Sequence, residues 1–366
     1  MKKIVHVQVI PQLSGVQQVS LDILKNLGSE YDKYIIFGGE NGNDTFEAIF
    51  RANDINIIYI KSLHRSISLL DFKAFIELYR LFKKYRFDIV HTNSTKPGII
   101  ARVAAKLAGI EKIIHTVHGI AFHKYEPPLK RLFYYFIEIV SCAFGDRNIS
   151  VNSYYLKYYP QFICKSLSIY NGIDFSQLKR EEKSQNNTVN IAFFARLDEQ
   201  KSPNTFIEII NYIVKNNLNT TKAHYYLAGD GELKEACLEL ISKLELGEHI
   251  TYVGWVSDKS SFFNKIDILC QPSRWEAFGL NIVEAAYFGI PCVASNVEGI
   301  PEVIINGSTG ILCEAGNVEM FSSALVKMIN NPLYLSSLSE GAKKHVTENF
   351  QLSSMVNSYT KIYEGL

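Results

Sequence analysis

Short apolar runs rich in β-branched and aromatic residues alternate with longer segments of helical period along almost the whole chain, and this alternation restricts the fold more than any other feature. A strand that is apolar throughout must be covered on both faces, which a parallel sheet flanked by helices provides. In the first half "KIVHVQVI", "KYIIFGG", "INIIYI", "FDIVHTN", "KIIHTVHG" and "RNISVN" read as strands. Val16, Val19, Ile23 and Leu27 recur at helical spacing behind "SG" and place a helix between the first two. Around "NGIDFSQLKREEKSQNNT" the chain turns polar and charged, the composition of a linker. The alternation then restarts with "VNIAFFARL", "AHYYLAGDG", "ITYVGWV", "DILCQPS", "PCVASNV" and "TGILCE", and beyond residue 316 only helical patterns remain.

A chain of 366 residues, 47% of them hydrophobic, has the material for two such domains. The expected class is therefore α/β, with two Rossmann-like domains facing each other across a cleft. In open α/β sheets ligands bind beyond the carboxyl ends of the strands, so the chemistry is expected there. The net charge of +1 gives no reason to expect a nucleic acid partner, but it hides an asymmetry. Residues 1–170 carry 22 Lys and Arg against 14 Asp and Glu, while the remainder carries 16 against 23. A basic front half suits a pyrophosphate or an acidic lipid surface; mutual attraction of the halves, or charge spread over solvated faces, explains the imbalance equally well. Six cysteines without a C-x-x-C pair read as reduced core residues and not as a zinc site. "MKKIVHVQVIP" reads as a first strand instead of a signal peptide, and no stretch reaches the roughly 18 apolar residues of a membrane span. A cytoplasmic protein is expected, with the inner face of the cytoplasmic membrane as the surface it would touch.

The segment "RWEAFGLNIVEAAYFGIP", residues 274–291, sets two glutamates into an apolar run. It reads as a loop from Arg274 to Phe278 followed by a helix from Gly279 to Phe288, stopped by Gly289 and Pro291. A glycine-led helix start offers backbone N–H groups and the positive end of the dipole, which suit a phosphate. Glu284, about a turn further in, can accept from two vicinal ribose hydroxyls, and Glu276 lies in the loop toward whatever extends past the phosphate. The competing possibility makes Glu276 a solvated loop residue and Glu284 a core-edge carboxylate paired with an arginine. In "FFARLDEQKSP" a buried strand ends at Arg196, and Lys201 follows at a helix start. Arg supplies a planar fork for phosphate oxygens and Lys a mobile point charge. "SGV" puts Gly15 in a loop between the first strand and helix, a weak signal equally consistent with a plain turn. "HTVHGIAFH" brings His115, His118 and His123 together, with His118 at a strand end. Their spacing lacks the carboxylate or cysteine partners of a metal site.

In this order the "SG" loop, "HG", "NGID", "ARLDEQK", "AGDGEL", "GWV" and "EAFGLNIVE" resemble the retaining glycosyltransferases of family 4, which have the two-domain GT-B fold. The resemblance runs from about residue 8 to 315, and its E-x7-E element with the upstream Arg and Lys is specific in combination. It implies transfer of a sugar from a nucleotide-diphosphate donor, UDP- or GDP-linked, with the anomeric configuration kept and with neither metal nor cofactor besides that co-substrate. By the same resemblance Arg196 and Lys201 would hold the diphosphate, Glu284 the ribose and Glu276 the sugar hydroxyls. Backbone amides of Phe278, Gly279 and Leu280 would meet sugar or phosphate oxygens, and the base would meet backbone near Val256. His118 would stand beside the anomeric carbon, and Gly15 would let backbone approach the phosphates. The implied catalytic set is His118, Arg196, Lys201 and Glu276. The domains would be 1–168 and 188–350, joined by a linker over 169–187, with a helix over 351–366 packing back on the first. Two positions depart from the pattern: Ala195 and Ser14 stand where glycines are usual.

The acceptor side rests on "YEPPLKRLFYYFIEIVSCAF", residues 125–144, which places Lys130 and Arg131 at the start of an aromatic-rich helix. Such a helix could rest on an anionic membrane and approach a lipid-linked saccharide, as expected of an enzyme of bacterial surface polysaccharide synthesis. A plain buried helix with a basic entrance is the competing possibility. A sugar-nucleotide epimerase and a non-catalytic nucleotide-sugar-binding protein remain as alternative functions.

Overall fold

The computed structural model describes residues 1–64, 68–181, 188–218 and 222–365. The chain divides into two compact units, Met1–Gly172 with Leu352–Leu366, and Ile173–Gln351.

In the first unit β1 (Lys2–Val7), β2 (Tyr31–Gly38), β3 (Ile55–Ile60), β4 (Ile89–Asn93), β5 (Lys112–Val117), β6 (Arg147–Ser150) and β7 (Ser166–Ser168) form one sheet in the order β3-β2-β1-β4-β5-β6-β7. Every pairing in it is parallel. Val5, Val7, Ile36, Val90 and Ile113 of the strands cluster with Leu78 and Phe82 of the helix Leu70–Tyr85 and with Ala101, Ala104 and Ala105 of the helix Thr95–Ala108. Those alanines let the second helix lie close to the sheet. β7 has no counterpart in the sequence pattern, since three residues, Ser166–Ser168, carry no readable period.

The second unit repeats the plan with β8 (Val189–Phe194), β9 (Ala223–Ala228), β10 (Ile250–Gly254), β11 (Ile268–Gln271), β12 (Cys292–Ser295) and β13 (Gly310–Cys313), in the order β10-β9-β8-β11-β12-β13. These pairs too are all parallel. Ile191, Phe193, Leu227 and Cys270 pack with Phe206 and Ile210 of the helix Pro203–Lys215 and with Phe321 and Leu325 of the helix Val318–Ile329. All six cysteines are buried and none forms a disulfide. In both units the chain runs outward from the first strand and then returns to its other side. That reversal leaves a crevice at the carboxyl ends, beside β1 and β4 in one unit and β8 and β11 in the other.

The segment read as a linker over 169–187 differs from that expectation. Residues 173–181 lie on the second unit: the Ile173 amide donates to Phe350 O (2.9 Å), Lys179 to Ser260 Oγ (3.1 Å) and Glu181 to Asn264 Oδ1 (3.0 Å). Phe175 also stacks on Tyr287, with ring centroids 4.7 Å apart. The polar composition of residues 173–181 therefore marks backbone anchored on the second unit. Residues 182–187 of that segment, and Leu366 of the final helix, lie outside the described residues.

The helix Pro128–Cys142 also departs from the buried alternative. Its inner face is polar: Glu138 binds Arg102 at 2.9 Å, and Arg102 donates to Ser141 Oγ at 2.7 Å, all three buried. Leu129, Leu132, Phe133, Phe136 and Val140, spaced along the opposite face, are exposed, Leu129 at 85% and Phe136 at 65%. The final helix Leu352–Glu364 packs on the helix Gly15–Lys25 and buries Tyr359 and Tyr363 in the first unit.

Candidate active site

The site is built from the two loops that leave β8 and β11 on either side of the reversal in the second unit. After β8, Arg196 and Lys201 share one organising carboxylate. Asp198 receives the Arg196 guanidinium at 2.9 Å and the Lys201 backbone N–H at 2.9 Å. Glu276, in the loop after β11, is 7% exposed and is bound by the Lys201 ammonium. The two loops are further joined by backbone, with Arg274 N–H donating to Gln200 O at 2.8 Å, and by the Gln200 side chain, which donates to Trp275 O at 3.1 Å.

The β9 loop explains how the "AGDG" stretch supports this arrangement. Gly229 (φ +138°) and Gly231 (φ +159°) press against the β8 loop, and a Cβ would stand 1.8 Å from Ala195 O and 2.5 Å from Leu197 O respectively. Only glycine allows both that backbone conformation and that approach. Leu197 N–H reaches Asp230 O at 3.0 Å as a result. Ala195, the departure from the family pattern, keeps ordinary dihedrals, because the close approach is made by its glycine neighbours.

Gly279 caps the helix Leu280–Tyr287 with φ +86° and ψ 60°, in the left-handed region. The helix start thus lies directly after the loop that carries Glu276. Phe278 is buried against Phe350, edge to face at 5.4 Å. Glu284, on the helix, is held by the Lys259 ammonium at 2.6 Å, and the arginine considered for it is replaced by a lysine 25 residues away in sequence. Val256, just past β10, is half-buried next to an exposed Trp255.

His118 and Gly15 belong to the first unit, at the carboxyl side of β5 and at the first residue of the helix Gly15–Lys25. Burial lowers the His118 imidazole to about 3, so it is neutral near pH 7. Its Nε2 is 3.0 Å from Asn93 Oδ1. An amide oxygen only accepts, which puts the proton on Nε2 and leaves the Nδ1 lone pair available. Lys130, paired with Glu126 at 2.8 Å, and Arg131 are exposed at the start of the helix Pro128–Cys142. Sequence reasoning missed Asp198 and Lys259. Asp198 lies between the two cations it organises and is legible in hindsight as a charge at i+2, whereas nothing local marks Lys259.

Residues 13–177 match the model of "Glycosyltransferase Family 4" and residues 174–345 that of "Glycosyl transferases group 1". Over 99% of its length the chain is 31% identical to the Escherichia coli UDP-Gal:alpha-D-GlcNAc-diphosphoundecaprenol alpha-1,3-galactosyltransferase, covering 96% of that protein. The chain belongs to the family 4 glycosyltransferases. Another relative of this glycosyltransferase, the O-antigen biosynthesis glycosyltransferase WclY of Escherichia coli, is 25% identical over all of this chain and 98% of its own. Among solved structures, Anabaena Alr3699/HepE in complex with UDP and glucose superposes with a TM-score of 0.83 over the full length of both chains at 16% identity. That likeness speaks for the fold, and both units have the parallel-sheet architecture of GT-B glycosyltransferases.

Proposed function

We propose that this glycosyltransferase moves a sugar from a UDP- or GDP-linked donor to a lipid-linked saccharide, keeping the anomeric configuration and using no metal ion, in the synthesis of a bacterial surface polysaccharide. The observation that carries the proposal is the gathering of Arg196, Lys201, Glu276 and the Gly279-led helix at the carboxyl ends of the second unit's central strands. Arg196 and Lys201 would meet the diphosphate. A diphosphate carries more charge than a carboxylate and would draw the Lys201 ammonium, turning Glu276 toward sugar hydroxyls. Glu284 would accept from the ribose hydroxyls in competition with Lys259, and backbone near Val256 would meet the base. When the bond from C1 to the phosphate oxygen breaks, its electron pair stays on the diphosphate, where fixed cations lower the barrier most. The acceptor hydroxyl attacks C1 from the same face and passes its proton to the departing phosphate oxygen. His118 and Gly15 are proposed as the first unit's contributors to catalysis and donor binding.

Support for the donor and acceptor classes comes from the galactosyltransferase relative, whose name specifies UDP-Gal and a diphosphoundecaprenol-linked GlcNAc. Incubation with UDP- and GDP-sugars and an undecaprenyl-diphosphate-linked saccharide is expected to give product only when donor and acceptor are both present. From an α-linked donor the new linkage should be α by proton NMR coupling. A β-linked product would refute retention, donor conversion without acceptor would favour the epimerase, and binding without turnover a sensor.

The acceptor side implies work at the cytoplasmic face of an anionic membrane. No helix of the described residues is long and apolar enough to cross a bilayer. The exposed Leu129, Leu132, Phe133, Phe136 and Val140, with Lys130 and Arg131 at the helix start, instead suit a surface that seats apolar side chains among acidic headgroups. Each cation near such a surface contributes about 1 kcal/mol, so reversing both charges should weaken partitioning to anionic vesicles by at least roughly 30-fold. Flotation of Lys130→Glu/Arg131→Glu equal to wild type would remove the membrane from the proposal.

A further inference from the structure

We infer that Asn281 is the positioning residue that sets the two donor-binding loops in register, a role that deepens the proposed donor site and rests on it. Asn281 sits in the first turn of the helix Leu280–Tyr287 and its side-chain amide turns back onto the sheet. Its Nδ2 donates to Phe194 O at 2.6 Å and to Gln271 Oε1 at 2.9 Å. Phe194 is the last residue of β8 and Gln271 the last of β11, the two strands that flank the reversal. One NH2 group therefore closes both strand ends at the point where the Arg196–Lys201 loop and the Glu276 loop diverge. Gln271 passes the connection on, its Nε2 donating to the buried Ser273 Oγ at 3.0 Å at the root of the Glu276 loop.

The chemistry of this position is narrow. Two acceptors converge on it, and an amide presents two N–H donors from one atom. Aspartate would bring an ionised carboxylate against two oxygens, and leucine, of similar shape, would leave both oxygens without a donor. Either change should let the two loops shift relative to each other while the hydrophobic core, built from other residues, stays in place.

Hydrogen exchange on the full-length protein reads this directly, because the Arg274 amide bonds across the loops to Gln200 O, whereas the Cys237 amide bonds within the core to Leu233 O at 2.9 Å. In Asn281→Leu and Asn281→Asp the Arg274 amide is expected to exchange on the order of tenfold faster or more, with Cys237 unchanged. Donor-saturated kcat of the folded variants should fall at least about tenfold, since misplacement of catalytic groups acts on the transition state. Unchanged exchange at Arg274 overturns the assignment, and so does a loss of activity no larger than the loss of folded protein. A wild-type protein that binds neither UDP nor GDP would overturn the donor site itself, and the exchange measurement would still judge whether Asn281 ties the loops.

Discussion

Arg196→Ala and Lys201→Ala are each expected to lower donor-saturated turnover by more than about 100-fold, the loss of one fixed donor to a developing anion being worth about 2.7 to 4 kcal/mol. The two variants should differ in stability, which separates chemistry from folding. Arg196 is half exposed and its partner Asp198 also holds the Lys201 amide, so its removal should leave Tm close to wild type. Lys201 is the ion-pair partner of the buried Glu276, and its removal leaves a carboxylate unpaired, at a cost of about 1–3 kcal/mol or more. Lys201→Ala combined with Glu276→Gln should recover that stability without recovering turnover. Near-normal turnover in both single variants would remove the cationic pair from the mechanism.

How much of this was legible beforehand depended on the kind of signal. The strands of both sheets except β7 followed from apolar runs bounded by turn residues, because a run long enough to be buried on both faces leaves few alternatives. The helix behind Gly279 was equally readable, as glycine in the left-handed region both opens and stops such helices in this chain, at Gly279 and Gly289. The faces of the helix Pro128–Cys142 were not. An apolar period says that one face is apolar and nothing about which way it turns; here the buried pair Arg102–Glu138 claims the inside. Residue types also pointed to Lys201 and Glu276, but their direct contact is a product of the β8–β11 neighbourhood, which spans 75 residues of sequence. The same holds for Asn281, whose meaning lies in two strand ends that the sequence separates.

Below neutral pH the first unit is expected to lose stability steeply, through histidines that carry its final helix. His6 on β1 and His91 on β4 are fully buried and share Tyr363 OH, at 3.1 Å and 2.6 Å. His6 also meets Ser20 Oγ at 3.0 Å, and His91 meets Thr116 Oγ1 at 2.8 Å, which in turn contacts Tyr359 OH at 3.1 Å. Burial lowers His6 to about 3, with neighbouring His118 adding to the effect, and lowers His91 well below its ordinary value, with His6, His118 and His115 adding. His115 is lowered by burial and by Arg102, which is itself paired with Glu138. A depressed histidine pKa means that the unfolded chain binds protons the native state refuses. Stability is therefore complete above the unfolded value near 6.5 and falls as the pH drops from there toward about 3. Each such histidine removes about 2 kcal/mol by pH 5, so His6 and His91 together remove about 4 kcal/mol from a total that is typically 5–15 kcal/mol. Thermal unfolding followed from pH 7.5 to 5 should show this fall, with exchange at the helix Leu352–Glu364 rising first because Tyr359 and Tyr363 hang on the same network. His6→Gln/His91→Gln should flatten the profile by up to about 2.7 kcal/mol per pH unit, the limiting slope for two rings, approached about one unit below 6.5, glutamine keeping hydrogen-bonding capacity without a titrating ring. A profile that stays level to pH 5 in the native protein, or one just as steep in the double variant, would show that these two rings do not govern it.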